Sequence, residues 1–403
     1  MRVVLEPAAF GEAAGWAARY AAGAGNSQPM LAGVHLAVAG TTLTLRTTDG
    51  DTMATVEVPA GVAGEGEVVL PAKLVGDIAR RLPDERVCLD LEGAAATLTC
   101  GTLTLELQGM PPEGFPPPRA LPTAIGTVRA DDLAAAVRRT AAGIGDERQQ
   151  PPFRSYGILA GQTLRIAATD RYRLPAADCA WQPTAGHQEG AALLVPPVLA
   201  EVAAGLPASG EVTLHADSAR RAFGLSWPGQ SVLLPVVDAE MTPYGRALTM
   251  ASATRFAVEV DRKELLDALA RVSPMVEPET VSEGGREKRV GQARLGLGFG
   301  PEGLQLAVRG RVGRIAETVE VPYEGPPLEL RVNLGFLTEA VRATGGERIR
   351  IGLPNASADP RQHRMVTLAR VGESGYLHVV MLMQAYGGPL DPWMAPPGQL
   401  RAA

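Results

Sequence analysis

Histidine, cysteine and aromatic residues are scarce in this 403-residue chain: five His, three Cys, and 4% Phe, Trp and Tyr together. The three thiols, Cys88, Cys100 and Cys179, are odd in number and lack metal-site spacing, which argues against a disulfide framework and fits a reducing cytosol. Cys88 and Cys100 fall on neighbouring strand-like segments and read as core or half-buried thiols rather than a redox pair. The histidines, His35, His187, His215, His363 and His378, are scattered, and His35 and His215 sit in strand patterns that suit a satisfied structural imidazole. No uncharged apolar run reaches the ~18 residues that a membrane helix needs. The start, Met1-Arg2-Val3-Val4-Leu5-Glu6, acquires an acid at once and lacks the apolar core of a secretory signal. A cytoplasmic location is therefore expected.

Catalytic motifs are missing too. There is no Gly-rich loop ending in Gly-Lys-Ser/Thr, no dinucleotide fingerprint and no His-Glu-x-x-His. Gly224-Leu225-Ser226-Trp227-Pro228 lacks the second glycine of a nucleophile elbow, and Asn355-Ala356-Ser357 reads as a polar turn rather than a glycosylated one. No cofactor, metal or catalytic residue is expected, and an enzyme on a tandem α+β scaffold stays an outside reading.

At the usual ~100–200 residues per domain the chain has room for two to four domains. Its 46% hydrophobic content is enough for each to bury a core, and Gly 46 with Pro 33 implies many turns. The net charge of -6 opposes nucleic acid or an anionic membrane unless basic residues are segregated on one surface.

The chain repeats itself with a period near ~120 residues, domain-sized rather than solenoid-sized. An alternating strand runs into a Thr-Asp turn at Leu43-Thr44-Leu45-Arg46-Thr47-Thr48-Asp49 and again at Leu164-Arg165-Ile166-Ala167-Ala168-Thr169-Asp170, while Leu304–Gly310 keeps the alternation without the turn. An apolar strand feeds a short helix at Val69-Leu70-Pro71, Leu194-Val195-Pro196-Pro197 and Leu330-Arg331-Val332-Asn333, with Asn333 placed as an N-cap. Pro-rich crossings at 114–122 and 240–248 close the first two units. Amphipathic helices open the later ones: Asp131 or Asp132 as cap with Leu133 and Val137 inward, then Leu265, Leu266, Leu269 and Val272 as a stripe. Each unit reads as α+β, two helices against antiparallel sheets. The expected divisions are 1–124, 125–250, 251–385 and a tail 386–403.

Three such units, the segment Thr169-Asp170-Arg171-Tyr172-Arg173-Leu174 and a strand ending Met381-Leu382-Met383 together resemble the bacterial DNA polymerase III β subunit, the sliding clamp, in its actinobacterial form. The likeness covers about residues 1–385. It implies a head-to-tail homodimer ringing duplex DNA, opened by a clamp loader and tethering the replicative polymerase and other clamp-motif proteins. A ring holds DNA by topology, so only its lining must attract phosphate, without reading sequence. The resemblance places Lys73, Arg80 and Gln149 there, and helix geometry adds Arg138, Arg139, Arg262 and Lys263. Each also reads as an ordinary solvated helix face. Gly25 stands where relatives carry arginine and Val198 where they carry lysine.

The resemblance further implies a dock for a short peptide with a glutamine and apolar anchors. Its walls would be Ser155, Thr169, Arg171, Tyr172, Arg173 and Leu174, Thr242 and Ala247, and Val379, Met381, Leu382 and Met383. Without the resemblance, the last run is simply a buried strand. The chain departs from relatives here, with Ser155 for a leucine, Thr242 for a proline, and Met381-Leu382-Met383 followed by a tail containing Trp393. These departures motivate an alternative: a specialised second clamp whose altered dock rejects a compound that occupies the usual one.

Overall fold

The structure is a computed structural model, and it describes residues 2–23, 25–185, 191–217, 221–252, 254, 256–276, 280–283, 286–289, 294–310, 312–354 and 365–383. The tail after Ala385, half of the Glu277–Arg294 stretch, His187, His363 and Asn355 lie outside the described residues. Contacts divide the chain into two units, Met1–Ala134 with Ala180–Glu189 and Glu201–Asp238, and Ala135–Cys179 with Gly190–Ala200 and Ala239–Ala403.

In the first unit a nine-stranded antiparallel sheet runs in the order Trp181–Pro183, Ala124–Arg129, Glu211–Asp217, Ala222–Trp227, Gln230–Pro235, Met53–Pro59, Thr42–Thr48, Gly33–Ala39 and Gly66–Pro71. Strands from both sides of residue 124 thus share one sheet, joined where Val232 pairs with Ala54. A second sheet of five strands carries Arg2–Leu5 and Val87–Glu92. Helices α1 (Pro7–Ala17) and α2 (Ala72–Ala79) pack on each other and fill the core with Phe10, Trp16 and Val75. Their close approach depends on two glycines: a Cβ on Gly11 would stand 2.8 Å from the Ala79 carbonyl oxygen, and one on Gly76 3.0 Å from that of Ala14.

In the second unit an eight-stranded antiparallel sheet runs Ala191–Val195, Tyr156–Ala160, Leu164–Ala167, Arg173–Cys179, Tyr376–Met381, Met365–Arg370, Arg348–Leu353 and Phe256–Asp261. A four-stranded sheet, Gly313–Val319, Gly303–Gly310, Arg294–Gly300 and Leu328–Asn333, completes the layer.

The remaining helices are α3 (Ala130–Thr140), α4 (Leu199–Ala204), α5 (Tyr244–Ser252), α6 (Arg262–Val272) and α7 (Leu334–Thr344). Asn333 caps α7 as expected, accepting from the Phe336 N–H at 3.1 Å, and Asp261 does the same for α6. Leu265, Leu269 and Val272 are buried, whereas Leu266 is half-buried at the edge of the stripe. The helix expected to start at an aspartate cap begins one residue earlier, at Ala130; Asp131 and Asp132 lie inside its first turn, where acids favour the helix dipole. The second Pro-rich crossing is not extended throughout but becomes α5 from Tyr244.

Candidate functional site

The Thr-Asp turn of the second unit is built from its own side chains. Thr169 Oγ1 donates to the Arg173 carbonyl at 2.6 Å and accepts from the Arg171 N–H, while Asp170 Oδ1 accepts from the Tyr172 and Arg173 N–H groups at 2.9 and 2.8 Å. Short polar side chains here satisfy backbone groups that a tight turn leaves open. Arg173 is buried: its guanidinium meets Asp170 at 2.8 Å, pairs with Glu339 of α7, and lies 4.3 Å from the Phe336 ring centroid. Tyr172, 43% exposed, stacks on the other part of that rim at 6.1 Å from Phe336. Two charges partnered so closely, with aromatic walls, hold the turn in one shape.

Strand pairing brings this turn to the end of the last strand. Leu174 lies opposite Val379 and Arg173 opposite Val380, and the Met381 N–H donates to the Tyr172 carbonyl at 2.8 Å. Leu174 and Val379 join Tyr244, Leu248 and Ala251 in one apolar cluster, with Met241 and Ala247 half-buried on it. Gly157 admits the Tyr244 ring, since a Cβ there would meet its Cε2 at 2.4 Å. Burial pushes the Tyr244 phenol up to about 12, so it stays neutral. Thr242 is half-buried beside this cluster and its carbonyl accepts from the Tyr244 N–H.

Three of the expected dock residues have other local duties. Ser155 is 2% exposed and its hydroxyl donates to the Pro151 carbonyl at 2.7 Å, closing the short turn Pro151–Arg154 instead of presenting a polar group. Leu382 packs with Val380 on the neighbouring core of Leu334 and Leu337, because residues two apart on a strand share a face and Val379 faces the other way. Met383 is tied down by its N–H to the Arg331 carbonyl.

The expected DNA-facing residues divide more sharply. Lys73 and Arg80 both pair with Asp77, at 2.7 and 2.6 Å, and hold its carboxyl below the usual range; Lys263 pairs with Asp267 at the i,i+4 spacing of Lys73 and Asp77. All three keep at least half their side-chain surface in solvent. Arg138 is exposed on α3. Arg139, one residue on, is reassigned by the structure: it grips Glu373 through both terminal nitrogens, donates to the Ala343 and Thr344 carbonyls at the end of α7, and lies 3.7 Å over the Tyr376 ring. A cation over the last turn of a helix satisfies carbonyls that have no helical partner. Arg262 likewise donates to the Gly346 carbonyl, and Gln149 turns its amide oxygen into the fold against Gly145.

Sequence reasoning missed two features. His378 is fully buried, its Nδ1 against the Tyr376 hydroxyl at 3.0 Å, and burial with Arg173 nearby drives it down to about 3, so the ring is neutral. In the first unit a cleft of about 1240 Å³ is walled by Glu12, Trp16, Arg19, Arg80, Glu211 and Trp227. Of these only Arg80 is a candidate site residue by sequence; the others come from three distant stretches, which no local motif marks as a site. His215 is satisfied on both ring nitrogens, by the Pro122 carbonyl and Ser226, as its strand position implied. Among the described residues no cluster of His, Cys, Asp and Glu suits a metal, and no helix is long and apolar enough to cross a membrane.

Helices on antiparallel sheets, repeated along the chain, define the clamp class of fold. A Pseudomonas aeruginosa sliding clamp, in a crystal structure described as bound to griselimycin, superposes with a TM-score of 0.83 at 21% identity over 96% of this chain and all of that one. The Bacillus subtilis clamp does so with 0.81 at 16%. Residues 1–122 match the family described as DNA polymerase III beta subunit, N-terminal domain. The beta sliding clamp of Streptomyces coelicolor is 27% identical over 85% of this chain and 88% of its own, and the beta sliding clamp homolog GriR of Streptomyces muensis 29% over 69% and 74%. Over residues 1–122 by that family, and over most of its length by these relatives, the chain is similar to the bacterial β sliding clamps, the β subunits of DNA polymerase III.

Proposed function

We propose that the chain is a non-catalytic processivity factor of three clamp repeats, divided near residues 124 and 250, that closes head-to-tail with a second copy around duplex DNA in the cytoplasm. It is opened by a clamp loader, holds DNA without reading sequence, and tethers the polymerase through the dock. One observation carries this reading: the turn 169–174, the strand end at Met381 and the apolar cluster under α5 form one surface, as peptide docking by a clamp requires. Lys73, Arg80, Arg138 and Lys263 supply the exposed positive charge. Solution mass together with retention on circular and linearised DNA, with a loader present, tests it. Retention on circles alone is expected; a monomer lost equally from both overturns the proposal.

A second reading concerns the dock. Ser155 is buried where the resemblance expects leucine, and losing that apolar contact is worth about 1–3 kcal/mol. This supports a specialised copy that rejects a compound seated in ordinary docks; the Pseudomonas clamp above is described as bound to one compound, griselimycin. Equal affinity of such a compound for this chain and an ordinary actinobacterial clamp overturns it.

A further inference from the structure

The same turn occurs twice with the same hydrogen bonds. Thr48 Oγ1 donates to the Thr52 carbonyl at 2.5 Å and accepts from the Gly50 N–H at 3.0 Å, and Asp49 Oδ1 accepts from the Asp51 and Thr52 N–H groups at 2.9 and 2.7 Å. These match, bond for bond, those of Thr169 and Asp170. The third residue is left-handed in both, with φ 107° at Gly50 and 77° at Arg171. Glycine is the residue this backbone favours, and a side chain there costs about 1–2 kcal/mol. The second turn therefore carries an arginine where its own repeat shows that glycine suffices.

That arginine is exposed beside Tyr172, with its guanidinium 5.1 Å from the Phe153 ring centroid. Arg154 follows Phe153 on the same rim and donates to the Glu147 carbonyl at 3.5 Å. The carboxylates on this rim, Asp170 and Glu339, are both engaged by Arg173. Among the described residues neither Arg171 nor Arg154 has an acidic partner, so the uncompensated charge at the mouth of the dock is positive. We propose that Arg171 is a specificity residue that selects acidic peptides, those carrying Asp or Glu beside the apolar anchors. The inference rests on the dock reading above. A cation stacked on an aromatic ring is held in place yet stays open to a carboxylate.

The test is binding of three labelled peptides that share a glutamine and apolar anchors and differ only in flanking Asp, Ser or Lys pairs. The full chain is compared with Arg171→Gly, which installs the residue of the first turn and keeps the fold, as a thermal melt will verify. For the unaltered chain the Asp peptide should bind about fivefold to tenfold tighter than the Lys peptide, a ratio that shrinks as salt rises. In Arg171→Gly the ratio should fall to about twofold, with the Asp peptide losing more affinity than the Ser peptide. A ratio unchanged by the substitution, or the same affinity for all three peptides in the unaltered chain, overturns the inference and leaves the dock standing. Failure of every peptide to bind overturns the dock and the inference together.

Discussion

The turns at Thr48–Met53 and Thr169–Leu174 share a hydrogen-bond scaffold and differ in what hangs from it. The first carries Gly50, Asp51 and Thr52; the second Arg171, Tyr172 and Arg173. Its Thr and Asp side chains define the turn in each case, so backbone geometry does not distinguish them. What distinguishes them is burial of charge: Asp49 is exposed, whereas Asp170 is 3% exposed and locked to Arg173. A turn that merely connects strands in one unit has become a rigid, charged rim in the other.

The largest expected effect follows from that burial. Asp170→Ala should destabilise the second unit by about 3–5 kcal/mol, since it leaves the Arg173 guanidinium without its buried partner. Asp49→Ala, which loses only exposed turn bonds, should cost about 1 kcal/mol. Denaturant midpoints compare the two, and equal shifts would erase the distinction. Arg139→Ala comes next, at about 2–3 kcal/mol, because Glu373 and the last carbonyls of α7 lose their donor. Its retention on circular DNA should match that of the parent; a specific loss there would return Arg139 to the DNA-facing set.

A pH titration sharpens the contrast further. His378 lies opposite Pro175, under the second turn, and is held down to about 3 from an ordinary value of 6.5. The unfolded chain therefore binds a proton that the folded one refuses. Stability from this group is complete above about 6.5 and is lost as pH falls from there toward about 3. Amide exchange should show strands around Tyr376–Met381 opening first in acid, and His378→Phe should flatten that dependence. The smallest effect tests the left-handed residue itself. Gly50→Arg should cost about 1–2 kcal/mol and Arg171→Gly should return a comparable amount, less the lost stacking on Phe153. Melting temperatures that move the same way for both would show that the two positions are not equivalent.

Much of this was legible in residue order. Thr47-Thr48-Asp49 and Ala168-Thr169-Asp170 after alternating strands announced the same turn twice, and Asn333 announced a helix start, because short polar side chains act on backbone groups two or three residues away. The stripes of α3 and α6 were legible for the same reason, with only Leu266 drifting off the buried face. Arg138 and Arg139 were not separable, since adjacent residues on a helix point about 100° apart and only the neighbour they meet decides which is buried. The side of Leu382 was not legible for a similar cause: a run of apolar residues hides which face of the strand each one takes, and the fold packs Leu382 with Val380 against Leu334 and Leu337.

The sequence by itself determined the period, the strand-and-helix alternation within each repeat, the turn chemistry and the absence of catalytic motifs, all set by interactions spanning a few residues. Tertiary structure alone decided that strands from successive repeats share one sheet, that Arg173 meets Glu339 and Phe336, that Arg139 closes α7, and that His378 is kept neutral. Those outcomes depend on groups as many as 234 residues apart, as between Arg139 and Glu373, and no local pattern encodes such a meeting.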